Sequence, residues 1–148
     1  MSRGFAAIGL HNSKTEANVG GVLRAAHCYG SALVALTGHR IKPQMGTNTY
    51  KTERHIPLLR VESLKDVIPC GCVPVAVDLI PGATPLGEYV HPERAFYIFG
   101  PEDGTLGKEV TDWCRDVVYI PTNGCMNLAA TVNVVLFDRA TKRKEWAR

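Results

Sequence analysis

The sequence predicts an α/β fold, a mostly parallel sheet with helices on both faces. Three observations carry that prediction. Short continuous apolar runs, such as Phe5–Leu10, Val73–Leu79 and Ala95–Phe99, read as strands buried on both sides. Stretches of helical spacing lie between them, so the two element types alternate along the chain. Gly30, Gly38, Gly100 and Pro121 punctuate the junctions. With 148 residues, 45% apolar and 21% charged, the chain is expected to form a single domain over residues 1–148 with a core of its own.

Taken in order, Phe5–Leu10 is the first predicted strand, and Asn18–Tyr29 is a helix closed by Gly30. Ser31–Thr37 reads as a second strand, followed by a long polar loop from Gly38 to His55. Ile56–Val61 makes a short strand, and Pro57 argues for an edge position. Glu62–Ile68 is a brief helix with Ser63 as its cap. Val73–Leu79 and Ala95–Phe99 are buried strands, with a helix predicted over Gly104–Cys114. Val117–Ile120 is the last strand. It runs through a turn at Pro121 and Asn123-Gly124 into an apolar helix beginning around Met126. Asn127 and Asn133 lie within that run, where burial would oblige their amides to find partners.

Composition excludes several classes. No apolar run approaches a membrane span, and the opening apolar piece is too short for a secretory core, so a cytoplasmic location without membrane contact is expected. Cys28, Cys70, Cys72, Cys114 and Cys125 make an odd count, which favours free thiols. No Cys-x-x-Cys pair or metal-ligand His spacing occurs, and no metal is expected. A net charge of +3 permits a nucleic-acid partner without demanding one. The basic tail Thr141–Arg148 reads as a solvated helix end suited to the helix dipole.

Three segments could carry chemistry. In Glu16–Arg24, Asn18 can cap a helix, whereas Gly20-Gly21 weakens one unless close approach requires it. Arg24 there is either solvated or held beside an anion. In Phe96–Gly104, a strand ends in Gly100 and a turn follows with Glu102. That turn is either a plain surface feature or a place where a cofactor nears the backbone. The segment from Val117 to Asp138 is either a packed core helix capped by Asn127 or the wall of a site. No Gly-x-Gly-x-x-Gly and no Walker-type loop follows any strand.

Together the three segments resemble the SpoU/TrmH-type family of SPOUT-class RNA methyltransferases. The matching strings are Asn18-Val-Gly-Gly-Val-Leu-Arg24, Phe99-Gly-Pro-Glu102, and Ile120-Pro121 with Cys125-Met-Asn-Leu128. The resemblance spans nearly the whole chain, and its compactness is most like the small members that methylate the ribose of the tRNA wobble nucleotide. It implies S-adenosylmethionine as cofactor and a deep trefoil knot in the C-terminal third. It also implies a homodimer and RNA, with tRNA favoured, as substrate.

Residue by residue, the resemblance sets Asn18, Arg24, Glu102 and Asn127 around the acceptor ribose. It sets the cofactor against Val77, Asp78, Leu79, Gly100, Ile120, Pro121, Cys125, Met126 and Leu128. Arg3, Lys14, Lys42, Lys51, Arg54 and His55 are candidate phosphate contacts. The chain departs from the family pattern at three places. Cys125 stands where serine is usual, Thr105 where glycine is usual, and Phe137 where small relatives often carry tyrosine. An rRNA substrate, or a knotted binder without catalysis, are the alternatives; the intact Asn18, Arg24, Glu102 and Asn127 speak for an enzyme.

Overall fold

The computed structural model describes residues 4–41 and 55–145. Its strands are β1 Phe5–Leu10, β2 Val34–Leu36, β3 Leu58–Arg60, β4 Val73–Val77, β5 Thr84–Pro85, β6 Arg94–Phe99 and β7 Asp116–Tyr119. Its helices are α1 Glu16–Cys28, α2 Lys108–Thr111 and α3 Leu128–Lys142. One seven-stranded sheet runs β3-β2-β1-β6-β4-β7-β5, and every adjacent pair is parallel. At its centre β1 and β6 pair from Phe5↔Arg94 to Leu10↔Phe99, so the two strands end level. Val77 of β4 pairs with both Phe99 and Val118, which brings the C-terminal ends of β4, β6 and β7 to one edge. Ligands of open parallel sheets bind beyond that edge.

Alternation along the strands sorts the core into two layers. Ala6, Ile8 and Leu10 join Tyr97 and Phe99 under α1 and α3, against Val19, Val22, Leu23, Val132 and Val135. Ala7, Ala76, Phe96 and Ile98 face the other way, against Leu64, Leu106 and Val110. No helix among the described residues is long and apolar enough to cross a membrane.

Several elements differ from the sequence expectation. The predicted helix over 104–114 shrinks to the single turn of α2, because Gly107 enters it with a φ of 76°. The brief helix expected over 62–68 is a 3-10 turn at Leu64–Val67, and Ser63 makes no side-chain capping bond there. The sheet's second face is therefore covered by short turns. Helix α1 starts at Glu16, and Thr15 is its cap, accepting from the Asn18 N–H at 3.4 Å. Asn18 is not the cap, which leaves its amide available elsewhere. β5 has no counterpart in the prediction. β3 does lie at the edge where Pro57 placed it.

Helix α3 starts at Leu128, with Asn127 as its cap. It is not sealed in the core. Leu128, Val132, Val135, Leu136 and Arg139 are buried, while Asn133, Val134 and Phe137 are exposed. Asn127 and Asn133 are both exposed, so the burial expected for them does not occur, and Asn133 returns its amide to the Ala129 carbonyl at 2.8 Å. The C-terminal end is also more than a solvated tail. Lys142 donates to the Leu86 and Tyr89 carbonyls at 2.6 and 2.8 Å and pairs with Asp138 at 2.9 Å.

Beneath that end lies a buried chain of polar groups. Arg139, 1% exposed, donates to the Pro92 and Glu93 carbonyls, each at 2.7 Å, and to the Tyr97 hydroxyl at 3.1 Å. Tyr97 and Nδ1 of His91 are 2.6 Å apart, and Nε2 of His91 lies 2.6 Å from Asp138. Burial pushes the Tyr97 hydroxyl up to about 12, so it stays protonated and donates to His91. A neutral His91 then donates from Nε2 to Asp138, so the chain from Arg139 to Asp138 runs in one direction. Burial holds the His91 pKa below its ordinary value despite the Asp138 carboxylate.

Helices α1 and α3 touch closely. A Cβ on Gly21 would stand 2.8 Å from the Cβ of Ala129, whereas one on Gly20 would meet nothing within 4 Å. Gly20→Ala should therefore stabilise the fold by about 0.5–1 kcal/mol through helix propensity. Gly21→Ala should lose that gain to overpacking and fall below wild type in urea denaturation, with Ala129→Gly as the rescuing second change. The His91 effect has a definite sign. With the folded pKa below the unfolded one, the unfolded chain takes up the proton first, so stability falls as pH drops below about 6.5. Urea midpoints between pH 7.5 and 5 should show that decline in wild type and a flatter profile in His91→Gln.

Candidate active site

Beyond the ends of β4, β6 and β7 lies a cavity of about 780 Å³. Its walls are the loops that follow those strands and the first turns of α3. All nine positions that the resemblance set against a cofactor line it, together with Glu102. Tyr119, Thr122 and Thr131 also line it; they lie within the Val117–Asp138 segment, from the end of β7, the loop after it and α3, but belong to none of the matching strings. Cys125 is exposed on this wall, and all five cysteines carry free thiols.

Two lining residues have structural duties of their own. Asp78 accepts from the Leu79 N–H at 2.9 Å and the Leu106 N–H at 3.2 Å, bracing the β4 loop against the β6 loop. At Gly100, a Cβ would stand 3.2 Å from the Leu106 nitrogen and 3.3 Å from the Thr105 carbonyl carbon. The loop's own packing already asks for a glycine there.

Three of the four residues assigned to the ribose side are joined by hydrogen bonds. The Ala130 N–H donates to Oδ1 of Asn127 at 3.2 Å, and Nδ2 of Asn127 donates to Oδ1 of Asn18 at 2.9 Å. Nδ2 of Asn18 donates to Oε1 of Glu102 at 3.3 Å, and the Lys14 N–H donates to Oε2 at 2.8 Å. A backbone N–H can only donate and a carboxylate can only accept, so the two ends fix both amide orientations. The relay joins α3, α1 and the loop after β6. Arg24 is exposed on α1, six residues beyond Asn18 or about 9 Å along the axis.

The charged surroundings are concentrated beside Glu102. Arg40 holds both oxygens of Asp103, at 2.8 and 3.1 Å. Hydrogen bonding to that guanidinium holds the Asp103 carboxyl below the usual range and raises Arg40. The Lys14 ammonium lies 3.9 Å from Asp103. Away from this cluster, the His55 ring stacks on His27 in the last turn of α1, with centroids 4.9 Å apart. Arg3, Lys42, Lys51 and Arg54 lie outside the described residues. No group of three or more His, Cys, Asp or Glu side chains among the described residues could hold a metal ion.

A model of the SpoU rRNA methylase family matches residues 6–137. AviRb from Streptomyces viridochromogenes, a SpoU methyltransferase in complex with AdoMet, superposes with a TM-score of 0.85 at 18% identity. That match covers 98% of this chain and 63% of the other. The A. aeolicus TrmH/SpoU tRNA modifying enzyme gives 0.83 at 17% identity, over 99% of this chain and 79% of its own. A structure bearing on the 2-OH methylation of C/U34 on tRNA gives 0.78 at 21% identity, over 97% and 94%. These likenesses establish the fold, and the chain spans just under two thirds of the length of AviRb. No curated protein matches the sequence.

The relay makes a separable prediction for its α3 end. Asn127→Ala removes the cap and should cost about 1 kcal/mol in urea denaturation. Asn127→Asp keeps an acceptor for the Ala130 N–H and should recover most of that loss. It removes the donor to Asn18, however, so the Asn18 side-chain amide resonances should move in both variants.

Proposed function

The chain belongs to the SpoU rRNA methylase family, and on that premise we propose that it is an S-adenosylmethionine-dependent RNA ribose 2′-O-methyltransferase. Its favoured substrate is tRNA, with the wobble nucleotide as target. The observation that carries this reading is the Glu102–Asn18–Asn127 relay standing at the rim of the cavity.

The residues present fit the cofactor. The cavity has the size of pockets that hold such ligands. Val77, Leu79, Ile120, Met126 and Leu128 offer apolar surface for a purine, and the three loops offer backbone groups for polar edges. When bound, S-adenosylmethionine supplies an activated methyl group for in-line displacement. The chain's own residues then supply position. Glu102 already accepts from Lys14 and Asn18, so its work is to orient Asn18 and anchor the loop after β6. Asn18 and Asn127 hold a fixed polar edge beside the cavity. Arg24, permanently charged, suits a bidentate grip on a substrate phosphate. Lys14 adds positive surface that a nucleic-acid backbone would meet.

Two wider features belong to the same reading. We take the C-terminal path as the trefoil knot of the family. Its support is the strand order, in which the chain passes from β6 across β4 to reach β7. We take the working form as a homodimer. The exposed Val134 and Phe137 on α3 are apolar surface that a second copy would cover.

The test is methyl incorporation from labelled S-adenosylmethionine into bulk tRNA and, separately, rRNA, followed by mapping of ribose methylation. Label in tRNA at the wobble ribose is the expected outcome. Label in rRNA would move the substrate, and cofactor binding without transfer would leave a non-catalytic knotted binder. With the active RNA, Arg24→Ala should lower kcat/KM about 10- to 100-fold, the loss expected for charge-assisted hydrogen bonds.

A further inference from the structure

The scaffold around Glu102 does not end with the relay. Arg40, from the segment after β2, donates to both Asp103 oxygens and also to the Asn12 carbonyl, at 2.5 Å. Asp103 is the residue next to Glu102. Asn12 lies two residues before Lys14, whose N–H donates to Glu102. One guanidinium therefore grips both chain segments whose meeting makes the Lys14–Glu102 hydrogen bond.

The segment carrying Arg40 is itself tied to the same place. The Asn12 N–H donates to Oγ1 of Thr37 at 3.2 Å. Gly38 turns the chain with a φ of 95°, and a Cβ there would stand 2.6 Å from Oδ1 of Asn12. The Arg40 and Asp103 side chains are 34% and 44% exposed, so the pair adds little stability as a charge pair. What a bidentate guanidinium fork supplies is orientation, which a lysine ammonium does not.

We propose that Arg40 is a positioning residue for the methyl-transfer site. Through Asp103 and the Asn12 carbonyl it sets the Glu102 carboxylate against the Lys14 N–H and Asn18, and so sets the whole relay. The role in transfer rests on the function proposed above; the control of Glu102 does not.

The Lys14 amide reports on this directly. Its exchange rate, measured by NMR in the full-length protein, is to be compared across wild type, Arg40→Ala, Arg40→Lys and Asp103→Asn. Methylation kinetics and thermal melting are measured on the same set. Arg40→Ala and Asp103→Asn should each speed Lys14 exchange several-fold and lower kcat about tenfold, with KM for RNA and melting temperature nearly unchanged. The double variant should be no worse than the poorer single one, because the two residues act as a unit. Arg40→Lys should recover only part of the loss.

Unchanged Lys14 exchange in Arg40→Ala would overturn the proposal. So would opposite effects on KM, raised by Arg40→Ala and lowered by Asp103→Asn, which would mark Arg40 as a phosphate ligand restrained by Asp103. A wild-type protein that transfers no methyl group would defeat the proposed reaction, and Lys14 exchange would still decide the role of Arg40.

Discussion

The closeness of α1 to α3 governs everything built at the C-terminal edge of the sheet. Gly21 has no Cβ to hold Ala129 away, and the two helices meet at a separation that side chains would otherwise forbid. One turn N-terminal to that contact, Asn18 and Asn127 come within hydrogen-bond distance. Three loops would end near each other in any parallel sheet with this register. Joining them into one polar assembly requires that α1 present Asn18 to both neighbours at once. A packing constraint between small residues is thus converted into the alignment of polar groups beside a cavity.

Helix α3 is held at each end by a one-way chain of hydrogen bonds. At its start the chain runs from the Ala130 N–H through Asn127 and Asn18 to Glu102. Towards its finish a second runs from Arg139 through Tyr97 and His91 to Asp138. Each has a donor that cannot accept and a carboxylate that cannot donate, so the intermediate groups have no equivalent alternative arrangement. The first is exposed and lies beside the candidate site. The second is largely buried, where an unpaired group would be costly, and serves to seat the helix on the sheet. The same device thus does positioning at one end and anchoring at the other.

Much of this was legible in the chain. Unbroken apolar runs gave every long strand, since a parallel sheet covered on both faces leaves no polar alternation to obscure them. The cavity-lining positions came from the resemblance, and the structure gathers all of them around one space. The errors have local causes. Asn18 looked like a cap because asparagine favours that position, but Thr15 had the same credentials three residues earlier, and an amide freed from capping could serve Glu102. The helix expected after β6 was shortened by Gly107, whose positive φ no periodicity reveals. The apolar composition of α3 suggested complete burial, although Val134 and Phe137 face outward. Arg40 was invisible because its partners, Asn12 and Asp103, are distant in sequence and carry no pattern.

The borders of the sheet have a consequence of their own. An open parallel sheet ends in two strands whose outer backbone groups could recruit a strand from another molecule. Here one border is the three-residue β3, entered directly from Pro57, and the other is the two-residue β5, whose second residue is Pro85. Proline offers no N–H, and strands this short give a newcomer little ladder to extend. The sheet therefore limits its own growth sideways, which protects a fold that must bring seven non-local strands together from sticking to its copies edge to edge.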